Sequence, residues 1–273
     1  MNETEPALRR ARLSVAYDGS HFHGFADNDG VRTVAGVLSE ALSRIARMPV
    51  EITGAGRTDA GVHAWDQVVS CDLPRDLDLD GLARRLTKLC VPGIVVRSVE
   101  WCSDPEFNAR FSARWRQYRY TVLNDPIADP FLTPTAWHVP APLDLSLMHL
   151  GCDPLVGEHD FSAFCRKPKL SSDQIERGDP GPSLVRRVTS AVWTEHRSDH
   201  GARILRFEIR ANAFCHQMVR SIVGCLVDVG LGRISAGEVS GILRRGERTG
   251  TVAPPQGLTL WEVGYADPVS SGS

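Results

Sequence analysis

The sequence predicts an α+β protein made of two ferredoxin-like halves, each ordered β-α-β-β-α-β, whose antiparallel sheets face a central cleft. Two observations carry that prediction. Segments of alternating polarity and segments of helical spacing follow one another in this order, and the order occurs twice along the chain. The chain has 273 residues, 42% of them hydrophobic, enough for one large or two small cores. The halves are placed at 11–105 and 106–266, with 1–10 and 267–273 as disordered tails.

Each element has a local reason. Arg12 to Tyr17 alternates as a strand. Thr33 to Arg47 carries Val34, Val37, Leu38, Ala41, Leu42 and Ile45 at helical spacing and stops before Pro49. Strands are expected at Glu51 to Ala55, Ala64 to Leu73 and Ile94 to Trp101, with a helix at Asp78 to Cys90. In the second half, Trp115 to Leu123 reads as a strand and Leu145 to Val156 as a helix, interrupted by Pro154. Val185 to Glu195 and Arg203 to Arg210 form a hairpin around Ser198-Asp199-His200-Gly201. Phe214 to Val229 is an amphipathic helix with Phe214, Met218, Ile222, Val223 and Leu226 on one face. A short helix at Ala236 to Arg244 and a strand at Leu258 to Val263 complete the half. Arg166 to Ser183, rich in Ser, Pro, Gly and charge, reads as a mobile loop.

Composition narrows the function classes. The formal charge of −2 does not favour a polyanionic partner, yet 28 of the 31 basic residues are arginine, whose planar fork suits phosphate and base stacking. Genome base composition produces the same bias. Distribution says more. From Phe107 to Tyr120 the chain carries Arg110, Arg114, Arg116 and Arg119 and no acid, interleaved with Phe107, Phe111, Trp115, Tyr118 and Tyr120. Such a segment can bind phosphates and stack bases, or form a strand with an aromatic core face and a solvated arginine face. The seven cysteines contain no Cys-x-x-Cys pair, which predicts reduced thiols rather than a disulfide framework or zinc site. No histidine spacing suggests a metal, no apolar run is long enough to span a membrane, and the chain opens on a polar, acidic stretch unlike a signal peptide. A cytoplasmic protein is expected.

The densest chemistry lies in Gly56-Arg57-Thr58-Asp59-Ala60-Gly61-Val62-His63-Ala64. It holds one carboxylate, Asp59, in a glycine-bounded loop ahead of a strand, with Arg57 two residues away to keep it ionised. An ionised, oriented Asp can serve as a covalent nucleophile. Read alone, the cluster fits a surface turn at least as well. Asp59 stands where a dinucleotide fingerprint has its third glycine, and no Gly-Lys-Ser/Thr follows. There is no Gly-x-Ser-x-Gly elbow.

Five blocks of the sequence nevertheless resemble one family in its own order. They are Ala16-Tyr17-Asp18-Gly19-Ser20, the loop from Gly54 to Ala64, Phe107 to Ala113 with Tyr118-Arg119-Tyr120, Ala211 to Arg220, and Gly257-Leu258-Thr259-Leu260. Together they resemble the TruA-type tRNA pseudouridine synthases over nearly the whole chain. That resemblance implies isomerisation of uridine to pseudouridine in the anticodon stem-loop of tRNA, at positions 38 to 40, by a cytoplasmic homodimer. Every heavy atom of the nucleotide is retained, so no cofactor and no metal are expected. Asp59 matches the essential aspartate, which acts at C1′, at C6 or as a proton acceptor. Arg57 matches the arginine that fills the space of a base flipped out of its stem. Tyr118 matches the ring that stacks on the uracil, Arg220 the basic residue paired with the aspartate, and Leu258 the aliphatic side chain packed on the flipped base. Arg110 and Arg116 are further candidates for substrate binding, taken from the basic segment.

The chain departs from the family pattern at Phe25 and Ala26, where Trp and Gln are usual, and at Ala35 and Thr87. Two other classes compete. A non-catalytic RNA-binding module would keep the basic segments without needing Arg57, Asp59, Tyr118 and Arg220 together. A glycoside or nucleoside hydrolase requires a second placed carboxylate, and the signature loop offers none.

Overall fold

A computed structural model describes residues 7–166, 177, 181–246 and 250–265. It is an α+β structure with mostly antiparallel sheet, resolved into two compact units. The first holds the described residues up to Arg116 and those from Thr259 on; the second runs from Gln117 to Leu258. The division therefore falls after Arg116 rather than at 105, and the last strand returns to the first unit. That return is a long-range pairing, and nothing in the local pattern of Leu258 to Val263 announces it.

In the first unit, β1 (Leu8–Tyr17), α1 (Val34–Ala46), β2 (Ile52–Gly54), β3 (His63–Pro74), α2 (Leu82–Leu89) and β4 (Ile94–Trp101) follow one another. β1 lies between β4 and β3 and is antiparallel to both. β3 is long enough to serve two further neighbours besides β1. Its far end pairs antiparallel with β2, Thr53 opposite Ser70, and its start pairs parallel with the last strand, Thr259 opposite His63. β1 buries every second side chain, Ala11, Leu13, Val15 and Tyr17, as a strand with one covered face should. Leu38 and Leu42 of α1, Leu82 and Leu86 of α2 and Ile94 of β4 are equally buried. Thr33 caps α1, its hydroxyl accepting from the Gly36 N–H at 3.1 Å. β1 begins at Leu8, so residues 8–10, expected in a disordered tail, are strand instead, held by pairing with Asp72 to Pro74.

The second unit contains most of β5 (Trp115–Leu123), then β6 (Trp137–His138), α3 (Leu145–Cys152), β7 (Gly157–Asp160), β8 (Val185–Arg197), β9 (Arg203–Ala211), α4 (Met218–Gly230) and α5 (Glu238–Arg245). Its strands lie in the order β5-β9-β8-β7, with β6 beside β5. The predicted β8–β9 hairpin is present and turns at Ser198 to Gly201, with Gly201 at φ +83°. α4 packs Met218, Ile222, Val223 and Leu226 into the core but starts four residues later than its apolar stripe suggests. Gln217 takes a left-handed conformation, φ 64°, and stops the helix from extending back to Phe214. Cys165 and Cys215 are disulfide-bonded, Cα atoms 5.8 Å apart, which corrects the expectation that all seven thiols are reduced. The other five cysteines are free. Most of the loop expected at 166–183, with Lys167 and Lys169, lies outside the described residues, as do most of both expected tails. β10 (Leu258–Gly264) closes the chain's regular structure.

Candidate active site

The Asp59 loop joins β2 to β3 in the first unit, and Ala55, Gly56, Thr58, Asp59 and Val62 in it are fastened. The Ala55 N–H donates to Val68 O at 2.8 Å, and Ala55 O receives two donors from the Arg116 guanidinium, Nη2 at 2.9 Å and Nε at 3.2 Å. Gly56 is gripped by the buried carboxamide of Gln67, whose Nε2 donates to Gly56 O at 2.7 Å while Oε1 accepts from Gly56 N at 3.3 Å. The Thr58 hydroxyl meets Tyr17 Oη at 2.8 Å, and Thr58 O accepts from the Phe25 N–H at 3.0 Å. Past the aspartate, the Val62 N–H donates back to Asp59 O at 3.1 Å, closing the turn. Asp59 itself is half-buried and Arg57 exposed.

A second loop, 18–25, backs the first. A methyl group on Gly19 would lie 2.5 Å from the Val62 carbonyl carbon, and one on Gly24 (φ +102°) 2.9 Å from Thr58 O. Glycine is what permits two backbones to run this close. Phe25 stands where the resembling family has Trp; its buried ring packs on Gly54 and lies 6.4 Å from the Tyr17 ring. Phe25 therefore fills this contact despite the departure. Thr87 also has a structural role, its hydroxyl donating to Ala83 O and accepting from the Val96 N–H, both at 2.9 Å.

Burial and hydrogen bonding set the charge states of Tyr17 and Asp18 in this unit. Burial pushes the Tyr17 phenol up to about 12, against the opposing hydrogen bonds of Thr58 and Gln67. Asp18 is also burial-penalised, but the Ser20 hydrogen bonds with His63 and His21 hold its carboxyl below the ordinary carboxylate range. Arg110 is exposed over the Phe111 ring, 5.4 Å from its centroid, where it can meet solvent or ligand. Arg116 has a structural engagement. Its guanidinium is engaged by the carbonyls of Ala55, Ala113 and Arg110, so it braces the loop from below.

The remaining candidates sit in the second unit. Tyr118 on β5 is buried, its ring edge-on to Phe214 at 5.0 Å. Arg220 on α4 is half-buried and donates from Nε to Ala253 O at 2.7 Å, while the Ala253 N–H donates to Arg220 O at 3.0 Å. Tyr120 Oη donates to Pro254 O at 2.8 Å, and its ring would be struck by any side chain at Gly257. Burial raises this phenol, with Arg220 pulling the other way. Arg220 and Tyr120 thus fix the segment that delivers Leu258, which is buried. The roles of Gln67, Tyr17 and Arg116 were not read from sequence. The signal for Gln67 is a glutamine followed by Val68 and Val69 on a strand with nearly continuous burial.

The profile of the tRNA pseudouridine synthase family matches residues 13–112 and 152–266, which include Arg57, Asp59, Arg110, Arg220 and Leu258. The chain belongs to that family. The tRNA pseudouridine synthase A of Frankia casuarinae is 42% identical over 268 residues, covering 94% of this chain and 90% of that one. The tRNA pseudouridine synthase A of Brevibacillus brevis is 38% identical over 94% of this chain and its own full length. That of Corynebacterium glutamicum is 39% identical over 94% of this chain and 89% of its own. This enzyme is accordingly an isomerase that acts on uridine in tRNA. The profile leaves 113–151 unmatched, so Tyr118 and Arg116 lie outside it. No helix among the described residues is long and apolar enough to cross a membrane, and no group of three metal-ligating side chains occurs among them.

Proposed function

We propose that the enzyme converts uridines at positions 38 to 40 of the tRNA anticodon stem-loop to pseudouridine, with Asp59 as its nucleophile. The observation that carries this reading is the fastening of the Asp59 loop. A catalytic carboxylate must be held within fractions of an ångström, whereas a surface turn needs no such support. In the reaction the N1–C1′ bond breaks, a C5–C1′ bond forms, the C5 hydrogen leaves as a proton and N1 gains one. Atoms and electrons balance within the nucleotide, so the chemistry calls for no redox partner. Attack at C1′ and addition at C6 use the same carboxylate.

Exposed Arg57 takes the place of the flipped base in the stem. Tyr118 stacks on the uracil and shuttles a proton late in the reaction, Arg220 supplies positive charge, and Leu258 packs on the base. For Arg57, Arg220 and Leu258 these roles are supported by position within the residues that the family profile matches, and for Tyr118 by the resemblance of Tyr118-Arg119-Tyr120 alone. Arg110 contacts backbone phosphate. The two units are variants of the ferredoxin-like half, a reading supported in the first by its β4-β1-β3-β2 order. The enzyme works as a cytoplasmic homodimer. Release of tritium from tRNA labelled at uridine C5, without added cofactor, tests the reaction, and mapping the product tests the positions. Pseudouridine outside the anticodon stem-loop would overturn the assignment.

A further inference from the structure

We propose that Gln67 and Tyr17 are positioning residues for the isomerisation, together setting where the Asp59 carboxylate is presented. The inference rests on the reading of Asp59 as the nucleophile and adds what holds that nucleophile still.

Gln67 has no exposed surface, and a buried carboxamide is tolerated only when its hydrogen bonds are made. Here they run to the loop. Gly56 presents an N–H that needs an acceptor and a carbonyl that needs a donor, and the amide head answers both. This fixes the amide's orientation. The second Nε2 hydrogen points at Tyr17 Oη, 3.4 Å away, and Tyr17 Oη shares a 2.8 Å hydrogen bond with Thr58 Oγ1 in which either hydroxyl can donate. The chain of bonds links Gln67 through Tyr17 to Thr58. It fixes the loop on either side of Arg57, and Asp59 is the residue after Thr58. β3 supplies Gln67 and β1 supplies Tyr17, so the anchors are strand residues with little freedom of their own.

An apolar side chain of equal length at 67 would fill the space but leave both Gly56 polar atoms unpaired. The loop would relax to satisfy them, and a displacement of about 1 Å at a reacting group costs on the order of 100-fold in rate. The test measures the single-turnover rate at saturating enzyme, tRNA affinity and thermal melting for Gln67→Met, Gln67→Glu, Tyr17→Phe and, alongside, Asp59→Asn. Gln67→Met is expected to lose about 100-fold in rate with tRNA affinity within about threefold of wild type. Gln67→Glu supplies a readout that a merely structural role would not move. As a neutral acid it donates to Gly56 O and accepts from Gly56 N; ionised, it repels Gly56 O. Its rate relative to wild type should therefore climb as pH falls from about 8 to about 6, because burial raises a carboxyl group's pKa. The deficit of Gln67→Met should not change with pH, and Tyr17→Phe should show a smaller, also pH-independent loss. A folded Gln67→Met within threefold of the wild-type rate, with Asp59→Asn inactive, overturns the positioning role and leaves Asp59 in place. An active Asp59→Asn overturns the underlying reading instead. If Gln67→Met does not fold, Gln67→Glu decides: a pH-independent ratio to wild type overturns the proposal.

Discussion

Replacing Gly19 by alanine probes the contact between the two loops at its tightest point. A methyl group there would sit 2.5 Å from the Val62 carbonyl carbon and 2.9 Å from the Val62 nitrogen. Ordinary carbon–carbon contact begins near 3.5 Å, so one backbone must retreat by about 1 Å. Val62 is tied to Asp59 through the Val62 N–H bond to Asp59 O, so the retreat is transmitted to the carboxylate. Overpacking of this kind costs about 1–3 kcal/mol, a fall of several degrees in Tm for a chain of this size. The rate should suffer more, by about 100-fold, because the reacting group has moved. Tritium release under single-turnover conditions, filter binding and melting on one preparation separate the effects. Gly237→Ala is the control, since nothing lies within 4 Å of its Cβ position and its φ is −64°. If Gly19→Ala melts lower yet retains its rate, the loop contact is a stability feature only and the positioning argument fails.

Other outcomes follow from the same geometry. Tyr17 is raised to about 12 in the folded state, so it keeps its proton where the unfolded chain has lost it. Its contribution is intact below about pH 10 and disappears as pH rises toward 12, and the melting temperature of Tyr17→Phe should fall less steeply across that window than that of wild type. Arg116→Met removes two donors from Ala55 O and should lower the rate while leaving tRNA affinity nearly intact. Arg110→Ala should do the reverse, weakening binding and reducing its salt dependence by about one phosphate contact. Turnover should survive a chelator once the tRNA is folded; activity recovered only by a metal that the protein binds would refute the cofactor-free mechanism.

The sequence and structure agree where the determinants are local. α1, β4, β5 and the β8–β9 hairpin lie within a few residues of the periodicity that predicted them, because each has one buried face and a clear stop. Phe214 to Gln217 misled, since the apolar stripe continues through a left-handed residue that periodicity does not register. β6 and β7, of two and four residues, are too short to show a period. Cys165 and Cys215 are 50 residues apart, and no spacing rule joins them. At the site, the glycine-bounded loop read alone fits a surface turn at least as well, and it is the family resemblance that singles out Asp59. Gln67 and Tyr17 were hidden among core residues, and only the contacts show that their polar ends serve the loop. Arg116 is a substrate-binding candidate from its basic segment, and its reach to backbone carbonyls from the start of β5 is a contact that the segment's composition does not show.

The central claim is that Asp59 performs chemistry and is not merely part of a turn. Asp59→Asn preserves the side chain's size and removes its charge and nucleophilic oxygens. Tritium release from uridine-labelled tRNA, measured with enzyme in excess, should fall by several orders of magnitude, about 4 kcal/mol or more in the barrier. Affinity for the same tRNA should change by less than about tenfold, because the phosphate contacts proposed above lie on arginines elsewhere. Substantial isomerisation by the Asp59→Asn protein would contradict the account.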